Sequence, residues 1–187
     1  MKTMIFSLLI ALSTNLLGQT NDSTRKYFLN IELSLIYPIL GGFGGTIGIE
    51  KNHIGFGVMG FGINLNHLMK HYLIENADEL EIFNWGVELY ADYYFKQSHR
   101  GLFLGSFLSL NGYSFNDVPV PQTLHALYAV PRIGYRIYLP KKLKSFYIQP
   151  ALTFQIKVWD NAEKFLYQEI DINSGFLLSQ LTIGIKI

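Results

Sequence analysis

The chain has 187 residues, of which 49% are hydrophobic and 15% aromatic, and it contains no cysteine. This length is enough for one domain of ordinary size, and the lack of cysteine excludes disulfides and a lipid anchor on cysteine. The 15 basic and 14 acidic residues nearly balance, so no net charge directs the chain to nucleic acid.

The first 18 residues have the composition of a secretory signal peptide. Lys2 precedes an apolar segment from Met4 to Leu12, and a short polar stretch then leads to Gly18, after which cleavage is expected. The alternative interpretation is a buried first strand or helix. In the body of the chain, no apolar run approaches the roughly 20 residues of a transmembrane helix.

A polar lead, residues 19–26, precedes a predicted barrel domain, residues 27–187. In this domain, apolar and polar residues alternate with a period of two, which predicts β-strands. In chain order the predicted strands are Tyr27–Tyr37, Gly45–Glu50, Ile54–Leu65, Ile82–Phe95, Leu102–Asn111, Thr123–Leu139, Phe146–Val158 and Asn173–Ile187.

Three features of the predicted strands are irregular. The second strand is short, and in the third strand the apolar residues change parity after Met59, which predicts a bulge near Gly60. Pro131 and Pro150 lie inside the sixth and seventh strands, where each removes a backbone donor, so bulges or kinks are expected there.

The fourth strand indicates that the apolar face of the sheet contacts lipid and not water. Its apolar face is aromatic at both ends and aliphatic in the middle, as in a strand that crosses a bilayer. Eight strands joined by alternately short and longer connections predict an all-β, antiparallel, up-and-down transmembrane barrel. An open edge would leave backbone groups unpaired in lipid, so the first and last strands are expected to pair.

The polar faces of the strands predict a packed polar interior without an open channel, because eight strands enclose only enough room for side chains. Glu32, Glu88 and Arg132 fall near mid-depth, and Asp92 and Arg136 fall about one pleat pair nearer the short turns. Opposite charges at matching depth predict a Glu32/Glu88/Arg132 group and an Asp92/Arg136 pair. The alternative is a gated proton or ion path along these charges.

The connections differ in charge at the two ends. The short ones contain Lys51, Lys96, Arg100, Lys141, Lys142 and Lys144, with Glu50 as the only acid beside them. The longer ones contain Glu75, Asp78, Glu79, Glu81, Asp117, Asp160, Glu163, Glu169 and Asp171. Short turns on one side and long loops on the other are typical of outer-membrane barrels, which predicts a periplasmic N-terminus, periplasmic turns and extracellular loops.

His67, His71 and Glu75 are spaced four residues apart in the longest acidic loop. In a helical turn they would share one face and could hold a metal ion, but a solvated loop is the favoured interpretation. No cofactor is expected.

The segment PRIGYRIYLP, Pro131 to Pro140, and the C-terminal LTIGIKI resemble segments of the small OmpA/OmpX-like outer-membrane barrels. The chain departs from them by ending in Ile187, where an aromatic residue is commoner. The resemblance implies insertion by the barrel assembly machinery and contact with outer-membrane lipids and lipopolysaccharide. It also implies a structural or surface-interaction role. We expect the protein to be a monomer.

Two alternative functions stand beside this one. A lipid A-modifying enzyme of the deacylase type would carry a His and a Ser two residues apart on the lipid-facing side. Here His125 is followed two residues later by Leu127, and no His lies at the level of Ser106, so no catalytic residues are predicted and an enzyme is not expected. A soluble exported lipid-binding barrel would direct its apolar faces inward.

Overall fold

The structure is a computed structural model that describes residues 27–66, 69–70, 73–75, 80–117, 122–140, 143, 145–161 and 171–187. The predicted signal peptide and polar lead lie outside the described residues. None of the helices in the described ranges is both long and apolar enough to cross a membrane.

Eight strands close into an antiparallel up-and-down barrel, and a further two-stranded sheet joins two of the connections. The barrel strands are β1 (Phe28–Ser34), β2 (Gly42–Lys51), β3 (Ile54–Asn64), β5 (Ile82–Tyr94), β6 (Gly101–Phe115), β7 (Gln122–Tyr138), β8 (Phe146–Asp160) and β10 (Gly175–Lys186). The small sheet pairs β4 (Ile74–Glu75) with β9 (Asp171–Ile172). The first and last barrel strands pair, for example Ile31 with Ile185, so the predicted closure is confirmed.

The two ends of the barrel differ. The end that carries the start of β1, the end of β10 and the connections β2–β3, β5–β6 and β7–β8 is called the turn end here, and the opposite end is called the loop end. At the loop end, β4 and β9 bring the β3–β5 and β8–β10 connections together. Ile74 and Ile172 of this small sheet are fully buried, so the small sheet packs onto the interior of the barrel.

The prediction for the first two strands was wrong in its bounds. β1 ends at Ser34, and the short helix α1 (Ile36–Ile39) replaces the expected end of that strand. β2 has 10 residues, because it begins at Gly42 and not at Gly45. The glycines allow this arrangement: the Tyr37 ring occupies the space that a side chain at Gly44 would need.

The predicted bulge near Gly60 is also wrong. The register of β3 against β2 and against β5 runs without a shift from Ile54 to Ile63. Phe61 and Ile63 therefore point into the barrel, where both are buried. The apolar residues of β3 change from the outward to the inward positions after Met59 because the interior near the loop end is apolar, and no bulge is needed.

The one register shift between β7 and β8 lies between Leu127 and Tyr128, and not at a proline. The ladder between these two strands is nevertheless incomplete at Pro131 and Pro150, which form no residue pair across this seam. Each proline lacks the backbone N–H that a pair requires, so the strands pass these positions with a gap in the ladder.

The outer surface of the barrel is apolar around its circumference. Leu89, Ile133 and Leu152 are 60%, 46% and 51% exposed, whereas Glu88 and Arg132 are buried inside, as the alternation predicts. A barrel with this orientation matches a lipid environment and is the reverse of a soluble lipid-binding barrel. The soluble alternative is therefore wrong.

Candidate functional site

The candidate site is a cluster of charged side chains inside the barrel, between mid-depth and the turn end. Alternation along the strands turns these residues inward, and all of them are buried. The set consists of Glu32, Glu50, Glu88, Asp92, Arg132 and Arg136, to which His99 and Lys186 are added at the turn end.

Arg132 is bound by Asp92 in a two-pronged ion pair. Its Nε donates to Oδ1 at 2.8 Å, and its Nη2 donates to Oδ2 at 2.5 Å. The two residues lie in one row across the sheet, with Gly105 between them. Because Gly105 has no side chain, the Asp92 carboxylate occupies the space beside its Cα. The guanidinium also lies over the Phe107 ring, 4.1 Å from its centroid.

Arg136 makes contacts across the lumen. Its Nη2 donates to Glu32 at 3.1 Å, its Nη1 donates to Glu50, and its Nε donates to Gln149 at 2.6 Å. The guanidinium stacks 4.0 Å from the centroid of the Tyr147 ring, whose hydroxyl donates to Glu32 at 2.7 Å. Two carboxylates, an amide and an aromatic face thus replace the water that a buried guanidinium loses.

Tyr94 joins the two arginine groups. Its hydroxyl accepts a hydrogen bond from Arg136 Nη2 at 2.5 Å and donates to Asp92 Oδ2 at 3.4 Å. Asp92 in turn holds Arg132, so Tyr94 connects the two arginines and their carboxylate partners in one network. A connected network of buried ion pairs and hydrogen bonds of this kind rigidifies the interior of a protein.

The predicted pairing was wrong in its partners. Arg132 binds Asp92, and Arg136 binds Glu32 and Glu50, whereas the prediction joined Arg132 to Glu32 and Glu88 and joined Arg136 to Asp92. Glu88 instead accepts a hydrogen bond from Ser109 Oγ at 2.7 Å. The prediction compared depths along each strand, but the stagger between tilted strands sets which residues are level in a barrel.

Sequence reasoning missed three members of the cluster: Glu50, His99 and Lys186. Glu50 was counted with the turn residues, although it shares the parity of the inward-facing Thr46 and could have been found by that signal. Its carboxylate lies 3.1 Å from Lys186 Nζ and 3.5 Å from His99 Nδ1. His99 offered no such signal, because it belongs to a turn and not to a strand.

His99 is the residue at which the cluster meets the β5–β6 turn. Its backbone has a positive φ of 55°, and its ring packs edge-on against Tyr94 with centroids 4.9 Å apart. Lys186 Nζ lies 2.8 Å from Nδ1, so Nδ1 accepts and the proton of the neutral ring is on Nε2. Burial lowers the pKa of His99 from its usual 6.5 to about 4, Lys186 and Arg136 add to this effect, and Glu50 opposes it.

This lowered pKa predicts a pH dependence of stability. The neutral ring of His99 is favoured in the folded barrel, so its contribution is complete above pH 6.5 and is lost as the pH falls towards 4. We expect His99→Asn to flatten the decline of the unfolding midpoint between pH 7 and pH 4, since asparagine tolerates the positive φ. The measurement is urea unfolding in vesicles at several pH values, and equal slopes for both proteins would contradict the prediction.

Two of the three residues considered for a metal ion, His67 and His71, lie outside the described residues. Of Glu75 only the backbone is described, where it pairs with Asp171 between β4 and β9. Within the described ranges, no three histidine, cysteine, aspartate or glutamate side chains are grouped so as to hold a metal ion.

The residues weighed for catalysis are far apart on the barrel wall. His125 pairs with Gly112, and Ser106 pairs with Pro131, six residue pairs along the same ladder. The His125 ring contacts the edge of Trp85, and the Ser106 hydroxyl donates to the Phe107 carbonyl. Neither geometry brings a base to the serine.

The interior is polar mainly in the region of the charged cluster, although Asn84 and Asn111 are also buried nearer the loop end. Nearer the loop end, the interior is a mainly apolar core to which strands and loops both contribute. Its buried members include Met59, Phe61, Ile63, Leu65, Leu73, Ile74, Ile82, Phe107, Phe115, Leu124, Val130 and Ile172. The described interior therefore holds ion pairs near the turn end and mainly apolar side chains near the loop end.

No family model matches the chain, and no curated protein matches it either. Three solved structures resemble it along nearly their whole length. The N-terminal β-barrel domain of Pseudomonas aeruginosa OprF is 13% identical, with a TM-score of 0.52 over 87% of this chain and 96% of that one. Neisserial surface protein A is 14% identical, with a TM-score of 0.54 over 88% and 99%.

The third structure is a major outer membrane protein from Thermus thermophilus, which is 10% identical with a TM-score of 0.53, over 88% of this chain and 100% of that one. At these low sequence identities the similarity shows the fold alone. The shared fold is the closed antiparallel barrel described above. The chain thus has the eight-stranded fold of the small outer-membrane β-barrels.

Proposed function

We propose that this protein is an integral barrel of the outer membrane with a closed lumen, and that its role is structural or one of interaction at the surface. The observation that carries the proposal is the ion-paired Arg132 and Arg136 layer within a mainly apolar outer wall. Side chains that are bonded to one another across an eight-stranded lumen leave no continuous water path there.

We further propose that the turn end faces the periplasm and that the loop end faces the outside. The support is the placement of the start of β1, the end of β10 and the short connections at one end, together with the basic residues of those connections. Longer loops at the outer surface are the usual arrangement in barrels of this fold. In this orientation the acidic loops would meet the surroundings of the cell.

The proposed partners follow from the two exposed features of the barrel. The apolar belt would contact outer-membrane lipids and lipopolysaccharide, and the alternating apolar residues of β10 would be recognised by the barrel assembly machinery. The pairing of β1 with β10 supports a monomer, because the paired part of this seam, from Asn30 opposite Lys186 to Ser34 opposite Thr182, leaves no strand edge there for a second copy.

A conductance measurement tests the closed lumen. We expect barrels inserted into a planar bilayer to produce no steady ohmic current, because the Arg132 and Arg136 ion pairs block the lumen. A change of gel mobility on boiling of the same preparation controls for folding. A steady current from the folded barrel, whose size follows the ion concentration, would contradict a closed structural role.

We infer no catalytic activity for the barrel. The separation of His125 from Ser106 along the β6–β7 ladder supports this view. Mass spectrometry of lipid A from cells with and without the protein is expected to give the same profile. A modified lipid A that appears only with the protein would replace the structural role with an enzymatic one.

A further inference from the structure

The wall of the barrel is incomplete at the loop end, beside β10. β1 pairs with β10 from Asn30 opposite Lys186 to Ser34 opposite Thr182, and the last backbone hydrogen bond of this seam towards the loop end joins Leu35 to Leu181. β10 nevertheless continues along β8 as far as Gly175. Among the described residues, six positions of β10, 175–180, therefore have a strand neighbour on one side only, over about 20 Å of strand.

The short helix α1 stands where the missing part of β1 would be, and it leaves the interior accessible. Leu178 shares the inward parity of Gln180 and Thr182, yet it is 37% exposed. Other inward-facing residues of the same region are covered, such as Val130 at 2% and Phe107 at 4%. The exposure of Leu178 thus marks an opening through the side of the barrel.

A cavity of about 90 Å³ lies behind this opening. Ser34, Ile36, Leu178 and Gln180 line the side next to the gap, and Phe107 and Val130 are among the residues of the opposite wall. One water molecule needs only roughly 10–15 Å³ on this measure, so the cavity has room for about six non-hydrogen atoms.

The polar atoms in the cavity select for a hydrogen-bond donor. Ser34 Oγ and Gln155 Oε1 are buried and have no hydrogen-bond partner among the described residues. The Glu88 carboxylate also lines the cavity, where its described contact is the hydrogen bond from Ser109. Gln155 Oε1 and an ionised Glu88 can only accept, whereas Ser34 Oγ can accept or donate. A hydroxyl or ammonium group would satisfy all three, and an anion would be repelled by Glu88.

We propose that this cavity binds a small amphipathic molecule with a short alkyl chain and a donating head, an alcohol or a primary amine. The head lies at Glu88 and Gln155, and the chain lies along Ile36 and Leu178 towards the gap. Since the gap opens through the lipid-facing wall, the ligand enters from the outer half of the bilayer. This route rests on the membrane location and orientation proposed above.

The test uses the full-length barrel in detergent micelles with ¹³C-labelled methyl groups, and hexan-1-ol, hexylamine and hexanoate as probes. We expect the alcohol and the amine to shift the Val130 and Ile63 methyl signals in a saturable manner, whereas hexanoate does not. Saturable shifts with hexanoate would overturn the proposed chemistry, and shifts that only rise linearly with each probe would overturn the site itself.

Two neighbouring variants locate the site. Leu178→Trp fills the opening and is expected to weaken hexan-1-ol binding at least about tenfold, while Leu177→Trp on the lipid-facing side changes it less than about twofold. Equal effects of the two variants would refute the location. Glu88→Gln keeps the shape of the cavity and is expected to weaken hexylamine binding about tenfold more than hexan-1-ol binding.

The folding control separates this proposal from the proposed function. Each sample is checked by the change of gel mobility on boiling, which reports a closed barrel whether or not a ligand binds. A folded barrel that binds neither hexan-1-ol nor hexylamine would overturn the ligand site and leave the structural role intact. A steady ionic current through the folded barrel would instead overturn the closed lumen alone.

Discussion

Replacement of Arg136 by methionine is expected to lower the free energy of unfolding by about 3–5 kcal/mol. The guanidinium binds both Glu32 and Glu50, and all three side chains are fully or nearly fully buried. Methionine fills a similar volume but leaves the Glu32 carboxylate without its cation and the Glu50 carboxylate with Lys186 alone, in a region that water does not reach. Urea unfolding in lipid vesicles, followed by the fluorescence of the two tryptophans, measures the loss.

Arg100→Met is the matched control, since Arg100 is exposed in the β5–β6 turn and its loss is expected to change stability by less than about 0.5 kcal/mol. A rescue variant separates charge from packing. Arg136→Met combined with Glu32→Gln and Glu50→Gln removes the uncompensated charges and should recover a large part of the lost stability. An unchanged midpoint for Arg136→Met alone would show that the network contributes nothing to the barrel.

Gly105→Ala is expected to destabilise the barrel by on the order of 3 kcal/mol, although it adds a single methyl group. A Cβ atom at this position would collide with Asp92 Oδ1 and would lie 2.8 Å from the Ala91 carbonyl oxygen. The carboxylate has to move, and its two-pronged contact with Arg132 is then lost. Heat-dependent gel mobility and urea unfolding in vesicles both report this change.

Gly60→Ala provides the comparison, because a Cβ atom at Gly60 has no neighbour within 4 Å. Both glycines lie inside barrel strands and neither has a positive φ, so the two variants share the same backbone cost. Equal effects of the two substitutions would refute the role given to Gly105. A difference of about 2 kcal/mol or more would show that the space beside Asp92 is the cause.

For the strand residues around the charged cluster, the sequence pattern alone predicts which side chains point into the barrel and which point outward. On β5 the alternation alone places Glu88 and Asp92 inside and Leu89 outside, as the structure has them. It failed on β3, where Phe61 and Ile63 are apolar and yet inward-facing. Their burial depends on the loops and strands that pack above them, which no pattern within β3 contains.

The partners of the charges could not be derived in the same way. Asp92 meets Arg132 because both are level with Gly105 on the strand between them, and this register depends on how neighbouring strands slide past one another. Arg136 reaches Glu32 and Glu50 across the lumen, over 104 and 86 residues of chain. Which distant strands lie opposite one another across the lumen is not encoded in any one segment of the sequence.

The sequence by itself determined the strand count, the alternation of faces and therefore a closed barrel with an apolar exterior, since these follow from local periodicity and from the cost of unpaired backbone in lipid. Only the tertiary structure decided which charges pair, where the interior turns apolar and where the early end of β1 leaves an opening beside Leu178. Those features depend on stagger and on contacts between distant strands, and stagger is a property of the closed sheet as a whole.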